Sequence, residues 1–418
     1  MRVSTSQFFQ VSRNNMSKLQ SDLSEQVKYL SSGKRILTAK DSPVESSTLQ
    51  SYKDELMSID KFKNNITQAE NKNMRMEVSL SSAQDILMNA QQSLIQANNG
   101  AYSSEDLLSL ARELESSLDQ LVEIANTKSE SGDYIFSGYQ NSTKPFSKDT
   151  NNNVTYAGDN GTTRLQISSE IRIETSQPGD ETFLQVQNAV GDFSVNYIDN
   201  PTPPTIIDPD EPDIRVEKAV ISDRDTYNGS GMELGLTFDF TDTNADGTVE
   251  VTVTDATPAA VHGPVNYTPG TPISFNGIDL SIDGNPLPGD QFTINEQKEV
   301  SVFDTLQSIV GWVETLAQGN LVDVKQHQVD YDHLITQLNE SFGHITNKRA
   351  EVGVSLKNIE TQLNIHADVE LMIKTSAGKI ESLDFAAALS DFEQRKVSLQ
   401  AAQQTFSQIQ NLSLFNYI

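Results

Sequence analysis

One run in this 418-residue chain has the spacing of a metal ligand set: Asp242-Thr-Asn244-Ala-Asp246-Gly247. Oxygen donors at the first, third and fifth positions, with glycine at the sixth, suit a hard cation such as calcium. The glutamate that would complete such a loop at the twelfth position is replaced by Val253, and the flanking residues alternate like strands. A solvated hairpin turn explains the run better, and Asp242, Asn244 and Asp246 remain a partial calcium candidate. The five histidines, His262, His327, His333, His344 and His366, form no His-Glu-x-x-His array. His327 and His333 are six apart, not the three or four that share a helix face, so both read as packing or solvent-facing groups. Glu113/Glu115 and Asp330/Asp332 are two apart on helices and diverge, which makes them solvated faces rather than acid–base pairs. Cysteine is absent, which excludes disulfides, thiolate metal sites and a cysteine nucleophile. Without a nucleophile elbow, P-loop or dinucleotide fingerprint, the chain does not read as an enzyme, and no cofactor is expected.

Charge narrows the partners. The net charge is −28, and half of it falls between Asp180 and Asp255, where 17 acidic residues face 3 basic ones. Such a surface disfavours nucleic acid and anionic lipid. The first forty residues run the other way, with Arg2, Arg13, Lys18, Lys28, Lys34, Arg35 and Lys40 against Asp22 and Glu25. This is read first as an exposed helix face. No run approaches the ~20 apolar residues of a membrane span, so no membrane insertion is expected. No apolar leader segment is visible either, so the protein is expected to be either cytosolic or exported without a cleaved signal.

Helices and strands must carry these residues. Met16, Leu19, Leu23, Val27 and Leu30 are spaced three or four apart, and so draw an apolar stripe along a first helix, from about Thr5 to Ser31. Phe385, Leu389, Phe392, Leu399, Phe406 and Ile409 draw another at the far end of the chain. Neither stripe has a partner next to it in sequence. Each is expected to pair with the other end or with neighbouring subunits, and these eleven residues are the expected assembly interface. Gly33 can cap the first helix, and Ser42-Pro43-x-Glu45 can open the second. The second helix keeps steps of three or four from Leu49 to Ala97, skipping only the polar Asn73. About 55 residues would span roughly 80 Å at 1.5 Å per residue, the length of a coiled-coil or bundle element. A third helix, with Leu107, Ala111, Leu114, Leu118, Leu121 and Ala125, should pair with it across Asn98-Asn99-Gly100.

From Gly132 to about Val300 the pattern changes to short alternating runs between Gly, Pro, Asn and Asp clusters. Leu234–Phe240 and Thr248–Thr254 flank Asp246-Gly247 as a hairpin. Helical periodicity then returns, first over Phe303–Leu316, where the lone Trp312 is expected to pack against the β part, and then along a second long helix and a last one. The fold class is α+β: a long antiparallel helical coiled-coil rod built from both chain ends, with an inserted β-rich outer domain. The expected domains are a terminal coiled coil at 1–42 and 380–418, a helical rod at 43–135 and 301–379, and a surface-exposed β-rich domain at 136–300. A stiff Pro-rich linker or loop lies inside it near 199–214, and the sequence leaves open whether the domain is one unit or two subdomains.

Four stretches resemble the flagellin superfamily of bacterial axial proteins. They are the Met1-Arg-Val-Ser-Thr opening, Ser31-Ser-Gly-Lys-Arg-Ile with Lys40-Asp-Ser-Pro, Tyr134-Ile-Phe-Ser-Gly-Tyr with Lys144-Pro-Phe, and Leu399-Gln-Ala-Ala-Gln-Gln-Thr-Phe with Leu412-Ser-Leu-Phe-Asn-Tyr-Ile. Ser42 stands where the family has a second aspartate. The resemblance covers about residues 1–146 and 302–418 and is closer to the members at the hook–filament junction than to filament flagellins. It implies a structural, extracellular component of the bacterial flagellum, passed out by the flagellar type III export apparatus. The partners it implies are further copies of the chain, the other hook–filament junction protein, flagellin, and an export chaperone on the C-terminal region. Rival readings are a filament flagellin, and a coiled-coil-anchored surface adhesin or needle-tip-like protein.

Overall fold

The computed structural model describes residues 5–150, 152–198, 214–232, 235–244, 246–319 and 324–415. The side chains of residues 5, 6, 324–326 and 409–415 lie outside that description, as do the chain's first four and last three residues. The periodic ends form the helices α1 (Thr5–Ser32), α2 (Pro43–Ala97) and α3 (Ser104–Ala125). The expected α2 is reproduced at its full 55 residues. Ser103 and Asp106 cap α3 reciprocally, and every apolar position expected of α3 is buried.

Two short hairpins follow, β1 (Phe146–Lys148) with β2 (Val154–Tyr156) and β3 (Arg164–Gln166) with β4 (Arg172–Glu174). After a π-helical turn at Asp180–Leu184 come β5 (Val186–Gln187), β6 (Phe193–Ile198), β7 (Ile214–Ile221) and the short α4 (Arg224–Gly229). Next are β8 (Leu236–Thr241), β9 (Glu250–Thr254), β10 (Ala260–Asn266), β11 (Ile273–Phe275), β12 (Ile278–Gly284), β13 (Gln291–Glu296) and β14 (Glu299–Val300). The chain closes with α5 (Val302–Gln318), α6 (Val324–Glu381) and α7 (Phe385–Phe415).

Five strands pair in the order β10-β9-β8-β13-β6, and three in the order β11-β12-β7. The hairpin expected around Asp246-Gly247 is β8–β9, with Thr241 opposite Glu250. The two sheets share one core, in which Phe238, Phe240 and Phe292 meet Val216, Leu280 and Ile282. Phe238 and Phe292 are cross-strand partners whose rings stack at 4.5 Å.

The strands on either side of the Pro-rich stretch contribute to one core. The run 199–213 lies outside the described residues, but β6 before it and β7 after it bury Phe193, Ile214 and Val216 in the same core. The change of core comes earlier. Phe136, Phe146, Phe183 and Val186 pack with α2, α3 and α5 in a separate cluster, and the sandwich begins at Val190.

A correction concerns α3. Its closest helix neighbour is α5, while Met76–Ala97 of α2 line the same core. Asn73, skipped by the stripe, is buried because its amide donates to Ala69 O and Glu174 O, both at 2.9 Å, and so ties α2 to β4. The chain divides into two compact units, residues 1–65 with 360–418 and residues 66–359. These boundaries fall inside α2 and α6, whereas the limits expected near 43 and 380 fall at the ends of those helices.

Candidate assembly interface

The connector between α1 and α2 is built from its own polar residues. Gly33 sits at φ +67°, the left-handed conformation that ends α1, and places Lys34 opposite Ser382 in an antiparallel bridge. Arg35 N donates to Glu381 O at 2.8 Å, and Leu383 N donates to Gly33 O at 3.1 Å. Lys34 pairs with Glu381 at 2.6 Å. The Arg35 guanidinium reaches Glu45 at 2.7 Å and Ile380 O at 3.0 Å. The Asp41 carboxylate accepts from Leu37 N and Thr38 N at 2.9 and 2.8 Å. Those amides, with the Tyr29 hydroxyl, lower its pKa to about 2. The Ser-Gly-Lys-Arg residues therefore fasten the α1–α2 turn to the α6–α7 turn, and Asp41 of Lys-Asp-Ser-Pro braces the α1–α2 turn from within.

From that clamp α1 and α7 run alongside each other in opposite directions. Gln26 donates to Ala388 O at 3.4 Å, Asp22 meets Arg395 at 3.9 Å, and the rings of Phe9 and Phe406 meet edge to face at 5.7 Å. Of the expected interface residues, Met16, Leu19, Leu23, Leu30, Phe392, Leu399 and Phe406 are half-buried. Val27, Phe385 and Leu389 point elsewhere and are 46%, 57% and 54% exposed. The side chain of Ile409 lies outside the described residues. Ala388 and Phe9 belong to the paired seam and were missed: alanine is a faint apolar signal, and Phe9 lay outside the stripe as counted. Phe8, Val11 and Val397 are further exposed apolar side chains on the same two helices. A pair of helices covers only a narrow seam of each. The structure thus presents two kinds of apolar position, one facing within the chain and one facing outward.

The Tyr134-to-Tyr139 motif is a tight corner. Gly138 lies at φ +71°, and a Cβ there would stand 2.3 Å from Asp159 O. The Asp159 carboxylate accepts from Tyr139 N and Gly161 N, each at 2.8 Å. Phe136 and Phe146 are fully buried beside it.

The remaining candidates do not gather. In the Asp242 loop, Asp242 accepts from Asp246 N and Gly247 N at 3.2 and 3.0 Å, and Asn244 donates to Glu250 at 3.2 Å. The side chains serve the turn itself. Among the described residues no cluster of three or more His, Cys, Asp or Glu could hold a metal. His327 and His333 both pack at the joint of the sandwich with α5 and α6, together with Trp312. His344 donates to Glu181 O at 2.9 Å, and His366 stacks on Phe62 at 5.6 Å. Asp332 is not merely solvated, because it pairs with Arg215 at 3.1 Å. No described helix is long and apolar enough to cross a membrane.

Comparison with known proteins matches residues 3–141 to the bacterial flagellin N-terminal helical region and residues 335–418 to the bacterial flagellin C-terminal helical region. The flagellar hook-associated protein 3 of Salmonella typhimurium is 21% identical over 415 residues, covering 99% of both chains. That of Escherichia coli is 28% identical over 193 residues, 46% of this chain and 60% of the relative, less than two thirds of its length. The flagellar junction protein FlgL of Legionella pneumophila superposes with a TM-score of 0.62 at 25% identity, covering 79% of this chain and 99% of that one. FlgL of Xanthomonas campestris gives 0.60 at 22%, covering 78% and 99%, which speaks to the fold. The two flagellin models take in the clamp and the paired terminal helices and together span just over half the sequence, and the chain belongs to the flagellin superfamily.

Proposed function

We propose that this protein is a structural component of the bacterial flagellum that forms the junction between hook and filament by helical self-assembly of its terminal helices. The observation that carries this reading is the alignment, along nearly the whole chain, with a flagellar hook-associated protein 3. The outward apolar residues of α1 and α7 support it. Phe385, Leu389 and Val27 keep about half of their surface uncovered by the described residues, and neighbouring copies would bury it. The inward residues Met16, Leu19, Leu23, Leu30, Phe392, Leu399 and Phe406 then hold each subunit's own helix pair together. The partners are further copies of the chain, the other junction protein on the hook side and flagellin on the filament side. An export chaperone covers the C-terminal helix before assembly, and the type III apparatus exports the subunit. The acidic sandwich is the part that meets the medium.

The test is a clean deletion followed by microscopy. Cells that build hooks but shed flagellin monomers into the medium are the expected outcome; normal filaments on those cells would refute the reading. Leu23→Asp and Phe406→Asp should fail to restore the junction when supplied in trans. Growth of long filaments from the purified protein alone would instead identify a filament flagellin.

A further inference from the structure

One histidine of α6, His333, touches the sandwich directly, and a second, His327, lines the same cavity against α5. A cavity of about 350 Å³ opens where β6 meets α5 and α6, lined in part by Tyr197, Trp312, His327, Asp330 and His333. His333 Nε2 lies 3.1 Å from Val216 O, and since a carbonyl only accepts, this nitrogen carries the proton. Its ring stacks on Tyr197, whose hydroxyl accepts from Val216 N at 3.0 Å. His327 lies flat against Trp312 at 4.2 Å and 12°, and the indole Nε1 donates to His327 O at 3.1 Å. His327 Nε2 is buried without a hydrogen-bond partner.

We propose that this joint is a proton-sensitive latch: protonating His327 and His333 loosens the sandwich from α6. The charged groups around them divide. From β7, Arg215 opposes an imidazolium at His333, while Asp332 of α6, paired with Arg215, favours one. Asp330 of α6 lines the cavity. From α5 the described lining is Ser308, Trp312 and Thr315, none of which offers a counter-charge, and from β6 it is Val195 and Tyr197. Burial outweighs the acids and lowers both histidine pKa values below the ordinary range. The seated form therefore holds its histidines neutral. Its stability is full above the free histidine value of about 6.5 and is lost as pH falls from there toward the lower seated values.

The test is amide exchange at Val216, corrected for its intrinsic rate, together with Trp312 emission, on the full chain from pH 8 to 5. Protection of Val216 should fall below about pH 6.5, by up to about tenfold per pH unit for each histidine. His333→Gln and His327→Gln should each remove one proton from that slope, while His262→Gln, away from the joint, should leave it unchanged. If the variants do not fold, the wild-type imidazole resonances decide. Titration of His327 and His333 together with the loss of Val216 protection supports the latch. Protection that is flat across this range, or histidines that titrate while Val216 stays protected, overturns it.

Discussion

The terminal unit and the central unit use apolar residues in opposite ways. Among the described residues the bulkiest fully buried side chains, among them Phe136, Phe146, Phe238 and Phe292, all lie between Ile66 and Ile359. The terminal unit buries Leu49, Ile59 and Ile373 on its long helices, but along α1 and α7 only Ala388, among the described residues, reaches that state. Three or more layers of elements meet in the central unit, so a side chain there is enclosed from all sides. Two paired helices enclose nothing, and Val27 of one stripe and Phe385 and Leu389 of the other stay open. The central unit is finished within one chain, whereas the terminal pair is completed by other chains, under the function proposed above.

The sharpest test of this contrast is Phe146→Ala, which removes a ring touching Phe183, Phe303 and Tyr156. It should cost about 3–5 kcal/mol in urea unfolding of the monomer. Gly138→Ala comes next. It forces a side chain into left-handed backbone and against Asp159, and should cost on the order of 1–3 kcal/mol by the same measurement. Leu389→Ala, by contrast, should change monomer stability by no more than about 0.5 kcal/mol, since the side chain is already exposed. A loss comparable to that of Phe146→Ala would erase the distinction between the two units.

Smaller still is the effect of acid on the clamp. The Asp41 pKa is depressed to about 2, so the stabilisation from its amide contacts is complete above the ordinary carboxylate value of about 3.8 and disappears as pH falls through 2. Exchange at Leu37 and Thr38 should quicken between pH 4 and 2, beyond its intrinsic change, and Asp41→Asn should abolish that step. The smallest expected effect is that of calcium. With Asp242 and Asp246 already serving the turn, calcium should give no heat in calorimetry, and EDTA should leave the melting temperature unchanged.

Helices were legible because one period, repeated for tens of residues, admits no other element. Gly33 and Pro43 marked helix limits for local reasons that need no tertiary context. Pairings were harder. Adjacency along the chain favoured α2 as the partner of α3, but shape selected α5. Strand alternation tells which face is apolar but not who sits next to whom. β13 lies between β6 and β8, and no local signal shared by those three segments says so. Asn73 looked like a gap in a stripe because a buried amide is recognised only once its acceptors are in place. The interface stripe mixed inward and outward residues, since spacing alone gives a helix face and not its neighbour.

The clamp at Gly33–Arg35 and Ile380–Leu383 fixes where counting begins. α1 and α7 leave from a common origin, so their mutual phase is set at one end only. One residue inserted just N-terminal to Gly33 would turn the whole upstream length of α1 by about 100° and shift it by about 1.5 Å against α7. The same insertion near Phe8 would disturb little beyond itself. Tolerance to length change should therefore grow with distance from the clamp, as in a vernier read from its zero mark.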